Sequence, residues 1–139
     1  MKDIYLVCMM KVMIRGFKIN MGLKLFGGST RSYKKKSYEI KFKKMFGDAK
    51  LKYKVFDTVD SSVFDSLVLR TGSQDEFQYN DQRTVIKDVV ATSLMGEYGT
   101  ADVQAYEPII LYINGSYNGI YFIREKVDET FVANHYNVQ

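Results

Sequence analysis

Three stretches in the first half of the chain alternate apolar and polar residues with the two-residue period of a half-buried strand. Gly22-Leu23-Lys24-Leu25-Phe26 runs into Gly27-Gly28-Ser29-Thr30-Arg31, a turn signal with a free backbone. In Ser37-Tyr38-Glu39-Ile40-Lys41-Phe42, residues Tyr38, Ile40 and Phe42 share one face, while Glu39 and Lys41 share the other. After a turn at Gly47-Asp48, Leu51-Lys52-Tyr53-Lys54-Val55-Phe56 repeats the alternation. The pattern predicts a basic strand-turn-strand meander from Gly22 to Lys54. It follows a β-like segment that begins at Ile4 and includes Val12, Ile14, Phe17 and Ile19.

The second half changes period. Phe64 to Arg70 is apolar enough for a buried strand and stops at Thr71-Gly72-Ser73. Val85, Ile86, Val89, Val90 and Leu94 recur at helical spacing, which predicts a helix from a cap at Asn80 or Asp81 to about Tyr98, with Gly99 as its stop. Ile109 to Ile113 and Tyr117 to Ile123 flank Asn114-Gly115, the pair that best accepts a tight primed hairpin turn. Asp128 then caps a short helix with Phe131 and Val132 facing inward. The order predicts an α+β fold, an antiparallel β-sheet with one main helix, in a single domain or part of one spanning residues 1–139.

Composition changes this picture little. Hydrophobic residues make up 46% and charged residues 26%, the balance of a globular protein, and one Pro with no Gly/Ser-rich linker gives no internal boundary. A single Cys and a single His exclude a disulfide framework, a cysteine-histidine zinc site and a Cys-His nucleophile. Cys8 reads as a small apolar strand residue, and His135 as part of a last helical turn. No run approaches the roughly 18 apolar residues of a membrane span, and Lys11 interrupts Ile4 to Ile14.

Charge changes it more. Residues 11–54 carry 12 Lys and 2 Arg against Glu39 and Asp48, a balance of +12; because the whole chain is +4, the remainder carries −8. Such polarity fits either an anionic ligand near the first half or charge pairing between the halves.

The blocks Gly27-Gly28-Ser29-Thr30-Arg31, Lys35 to Phe42, Leu67-Val68-Leu69-Arg70, Gln104-Ala105-Tyr106-Glu107-Pro108, Leu111 to Tyr121 and Arg124-Glu125-Lys126-Val127-Asp128 together resemble the CotH family of atypical kinases, named for a spore coat protein. The likeness runs from about Gly22 to the end. Asn118 stands where an aromatic is usual, and Lys87 where an Arg is usual before Asp88. The resemblance implies the nucleotide-facing, smaller lobe of a kinase-like fold. It also implies ATP with Mg²⁺ or Mn²⁺ as cofactors and a protein hydroxyl on a spore-coat or cell-surface protein as acceptor. The family's metal-binding and catalytic aspartates are expected downstream of Gln139, so the chain by itself is expected to hold a nucleotide without using it.

Within that frame the candidate phosphate loop is Gly27-Gly28-Ser29, with Arg31 as a bidentate donor. Read by itself, such a loop is more commonly a strand-connecting turn; the resemblance brings the phosphate-loop reading level with it. Lys41 is the strand lysine expected to hold nucleotide phosphates, in competition with Lys35, Lys36, Lys43 and Lys44. Asp88 and Glu97 are the helix carboxylates that could pair with it, and the resemblance favours Asp88. Glu125 falls where an adenine-facing connector would run; a local ion pair is its plainer role. Lys and Tyr interleave from Tyr33 to Tyr53 as in single-strand nucleic-acid binders, but Tyr38, Ile40, Phe42, Tyr53 and Phe56 fall where a sheet needs its core. The competing function is a structural or adhesive module of a coat or surface assembly that keeps the fold without catalysis.

Overall fold

The computed structural model describes residues 6–8, 18–72, 84–99 and 101–136. The β-like positions Val12, Ile14 and Phe17 and the helix cap at Asn80 or Asp81 lie outside the described residues.

A six-stranded sheet organises the chain. Its strands are β1 (Leu6–Cys8), β2 (Met21–Phe26), β3 (Ser37–Lys41), β6 (Ser66–Arg70), β8 (Ser116–Glu125) and β7 (Tyr106–Ile113), in that spatial order, with every neighbouring pair antiparallel. Strands β4 (Leu51–Lys52) and β5 (Val63–Phe64) form a separate two-stranded sheet. Helix α1 spans Lys87–Tyr98 and helix α2 spans Glu129–Tyr136. The α+β class expected from the sequence is the class found. Among the described residues no helix is long and apolar enough to cross a membrane.

The meander is shorter than its alternation predicts. Leu51–Lys52 leaves the main sheet to pair with Val63–Phe64, and β3 takes β6 as its second neighbour. Burial explains the exchange, because β6 supplies Leu67, Val68 and Leu69, each at most 3% exposed, to the centre of the sheet. Burying a Leu of this kind contributes about 1.5–3 kcal/mol.

Register assigns the two faces. Leu23 lies opposite Ile40, Ile40 opposite Leu67, and Leu69 opposite Ile123. With Tyr121, Leu111, Phe56 and Phe64 these residues form the main core on one face. The alternate positions place Lys24, Glu39, Val68, Arg124 and Tyr106 in one cross-strand row on the opposite face.

Helix α1 and the turn before it cover part of that second face, with Val85 and Val89 against Phe122 and Tyr106. Its start comes later than the periodicity predicts, because Val85 adopts φ 68° and the helix begins only after Ile86. Positive φ is unfavourable for a β-branched residue, and burial of Val85 against Phe122 offsets that cost. Ile86, Val90 and Leu94 are exposed, so only Val85 and Val89 of the five periodic residues face the sheet.

The hairpin forms as its sequence dictates, with Asn114 at φ 51° and Gly115 at φ 79°, both left-handed as a primed turn requires. The Asp128 side chain accepts from the Thr130 and Phe131 amides at 3.1 and 3.4 Å and so caps α2. Phe131 turns inward; Val132, expected beside it, is exposed.

Candidate functional site

The face opposite the core concentrates buried charge. Glu39 is only 5% exposed on β3, a strand whose Tyr38, Ile40 and Phe42 go to the other side. Its carboxylate takes the ammonium groups of Lys126 at 3.0 Å and Lys41 at 3.4 Å. Lys126 also reaches Asp128 at 3.3 Å. A carboxylate this deep requires such partners, because an uncompensated charge away from water costs several kcal/mol. Burial pulls the Lys126 ammonium down, but hydrogen bonding and attraction from Glu39 and Asp128 outweigh it and raise it above 10.5.

A second ion cluster lies across the same face. Arg124, on β8, is 3% exposed. Its guanidinium meets the Asp88 carboxylate of α1 and donates to Thr92 Oγ1 at 3.0 Å, with the Tyr106 ring 5.9 Å from its central carbon. Arg70, at the end of β6, places Nε 3.1 Å from the same Asp88 oxygen. One helix carboxylate therefore holds two arginines from adjacent strands side by side. Asp88 also stands in the first turn of α1, where a negative charge complements the helix dipole.

Between the two clusters lies a cavity of about 190 Å³ lined by Phe26, Val68, Arg70, Gln104, Arg124, Lys126 and Val127. Its walls combine apolar surface with three cations and no carboxylate. The Nε atoms of the lining residues Arg70 and Arg124 are both buried without a hydrogen-bond partner. A buried donor left unpaired carries a desolvation cost of about 1–3 kcal/mol, which an anionic ligand would relieve.

The residues singled out from the sequence are distributed around this cavity rather than gathered in it. Gly27, at φ 108°, directly follows the lining residue Phe26, and its glycine is required there, since a Cβ would lie 2.3 Å from Thr30 Oγ1. Gly28 and Ser29 lead into a single 3₁₀ turn, and Arg31 is exposed at its end. Lys41 lies on the polar face but is tied to Glu39 of its own strand, and Asp88, the carboxylate expected to pair with it, serves Arg70 and Arg124 instead. Glu97 is exposed near the far end of α1.

Glu125 points the other way. Alternation along β8 sends it to the core side, where it is 2% exposed and accepts from the Ala105 amide and from His135 Nε2, each at 3.0 Å. The plainer role, a local pair, is the one the geometry gives it. His135 does occupy the last turn of α2, its ring tilted against that of Phe131 with centroids 4.1 Å apart.

Four residues of the polar face, Glu39, Arg70, Arg124 and Lys126, stand in the sequence patterns without a site role assigned to them. Arg70 and Arg124 were each visible as the polar end of an apolar run, and Arg70 sits just before the segment that leads to the helix. That position carried the signal.

A family model described as CotH kinase protein matches residues 23–139, a span that begins in β2 and takes in the remaining strands of the sheet and both helices. The chain belongs to the CotH kinase family. No curated protein matches it in sequence. In this CotH family member the buried Arg124 and the cavity lie on the face that the core leaves free, and the Gly-containing loop begins directly after the lining residue Phe26. The donor set fits phosphate, with three cationic side chains, two of them with an unpartnered buried Nε–H, around a partly apolar recess. Among the described residues no group of three or more His, Cys, Asp or Glu is arranged to hold a metal ion.

Proposed function

We propose that this CotH family member binds ATP on the polar face of its sheet, as the nucleotide-holding lobe of a protein kinase whose acceptor is a protein hydroxyl. The observation that carries this is the cavity in which Arg70, Arg124 and Lys126 surround the apolar side chains Phe26, Val68 and Val127. The apolar residues suit the faces of a purine, and the cations suit the phosphates. At about 190 Å³ the recess is smaller than the roughly 300–1,000 Å³ that enclose a drug-sized ligand, so it receives part of a nucleotide and leaves the rest open.

Each element then has a task. The Gly27-Gly28-Ser29 backbone approaches the phosphates without a side chain intervening, and Arg31 at the end of the loop adds a mobile positive charge. Lys126, held by Glu39, contributes positive field at the edge of the recess. The segment from Glu125 to Val127 is the connector beside the base, with Lys126 and Val127 facing the recess and Glu125 anchoring it from the core side. A divalent cation bound with ATP would supply further neutralisation of phosphate charge; among the described residues no cluster of His, Cys, Asp or Glu is arranged to hold it.

A thermal-shift titration of the 139-residue chain with ATP and Mg²⁺ tests this directly. Binding to the folded state raises its stability by RT ln(1 + [L]/Kd), about 2.7 kcal/mol at a hundredfold excess over Kd. A dose-dependent rise that sodium sulfate at matched ionic strength does not reproduce supports nucleotide binding. An unchanged midpoint up to millimolar ATP, with no phosphate transfer by a longer protein that contains this lobe, favours the structural or adhesive module instead.

A further inference from the structure

We infer that Arg70, not Lys41, is the strand cation that grips the nucleotide's phosphates, and that Asp88 of α1 is its positioning residue; this rests on the nucleotide reading of the same face. Lys41 does not line the recess, and its ammonium is directed to Glu39 two residues back on its own strand. Arg70 lines the recess and keeps about a third of its side chain exposed.

The geometry explains how Arg70 would work. Its Nε faces Asp88 Oδ2 at 3.1 Å, and the same oxygen meets the guanidinium of Arg124. With the Nε side held close to Asp88 by this ion pair, which is not a hydrogen bond, the two terminal amino groups remain as the donating edge, the arrangement that matches two phosphate oxygens at once. Arg124 cannot take that role in the same way, because it is 3% exposed and also donates to Thr92. Asp88 reduces the repulsion between the two guanidinium groups and aims the one that can move. A strand cation paired with a helix carboxylate before a nucleotide is the arrangement kinases require, and here an arginine on β6 provides it.

Calorimetric titration of the 139-residue chain with two probes, tripolyphosphate and ATP, separates this from the broader reading. Arg70→Ala is expected to weaken both probes by about 10- to 100-fold, as loss of a charge-assisted bidentate contact does. Arg70→Lys should recover only part of that loss, since an ammonium cannot bind two oxygens in a fixed fork. Asp88→Asn should weaken both probes and Asp88→Glu should restore them in part, a rescue that a merely structural role would not track. Lys41→Ala should stay within about threefold of the parent.

Wild-type binding of ATP with Arg70→Ala and Arg70→Lys unaffected overturns this assignment and leaves the nucleotide reading standing. Loss of binding in Lys41→Ala alone has the same meaning. Tripolyphosphate binding that depends on Arg70, without ATP binding, upholds the phosphate grip and overturns the nucleotide reading. Failure of the wild type to bind either probe overturns both.

Discussion

Asp88 Oδ2 lies 3.1 Å from Arg70 Nε, so the first turn of α1 is joined by charge to the end of a central strand. Arg124 meets the same oxygen from the neighbouring strand. Helix α1 buries little apolar surface, with Val89, beside Val85 just before the helix, against Phe122, and its outer residues Val90, Leu94 and Met95 are exposed. Charge pairing therefore carries much of its attachment to the sheet.

Removing that pairing should cost stability. Asp88→Ala leaves Arg124 buried without a counter-charge, and such truncations cost up to about 3–5 kcal/mol when both partners are buried. Asp88 is 40% exposed, so solvent screening lowers the expected loss to about 1–3 kcal/mol. Urea unfolding measures it. The paired replacement of Arg124 and Asp88 by Met and Leu should lose less than Asp88→Ala, because no buried charge is then left behind.

The Glu125–His135 pair should behave as a lock between the end of β8 and α2. Replacing His135 by Leu leaves the Glu125 carboxylate with the Ala105 amide as its remaining donor and should cost about 1–3 kcal/mol. In a Glu125→Leu background the same change should cost distinctly less. Equal losses in the two backgrounds, read from a double-mutant cycle, would show that the pair contributes no coupling.

Much of this frame was readable in the sequence, for identifiable reasons. The Asn114-Gly115 turn, the Asp128 cap and the alternation in β2 and β3 are local, and local chemistry decided each of them. The sequence reading went astray where distant partners compete. Leu51–Lys52 alternates like a sheet strand, yet β6 has more apolar surface to bury and takes the place beside β3. Glu39 and Lys41 share a face, as alternation requires, but nothing local reveals that Lys126, 87 residues after Glu39, completes their pairing. Asp88 was identifiable as a helix carboxylate; its partners come from β6 and β8, which only the strand order brings together.

Lys126 gives the fold a signature at alkaline pH. Burial lowers its affinity for the proton, but Glu39 and Asp128 more than compensate, so the folded value lies above the ordinary 10.5. A raised lysine contributes stability that is fully present below 10.5 and is lost as pH climbs through the higher folded value. The Tyr38 phenol, raised by burial, acts in the same direction. Unfolding free energies of the wild type and Lys126→Met between about pH 9 and 12 should therefore converge as pH rises. Curves that stay parallel over that range would remove Lys126 from the account.

The central claim is that the polar face of the sheet receives nucleotide phosphates. At 16.1 kDa the chain is suited to amide chemical-shift mapping during titration with ATP and Mg²⁺. The account predicts that the largest saturable shifts fall on Gly27, Gly28, Ser29, Val68, Arg70, Lys126 and Val127. Shifts confined to other surfaces, or none at millimolar ATP, would contradict it.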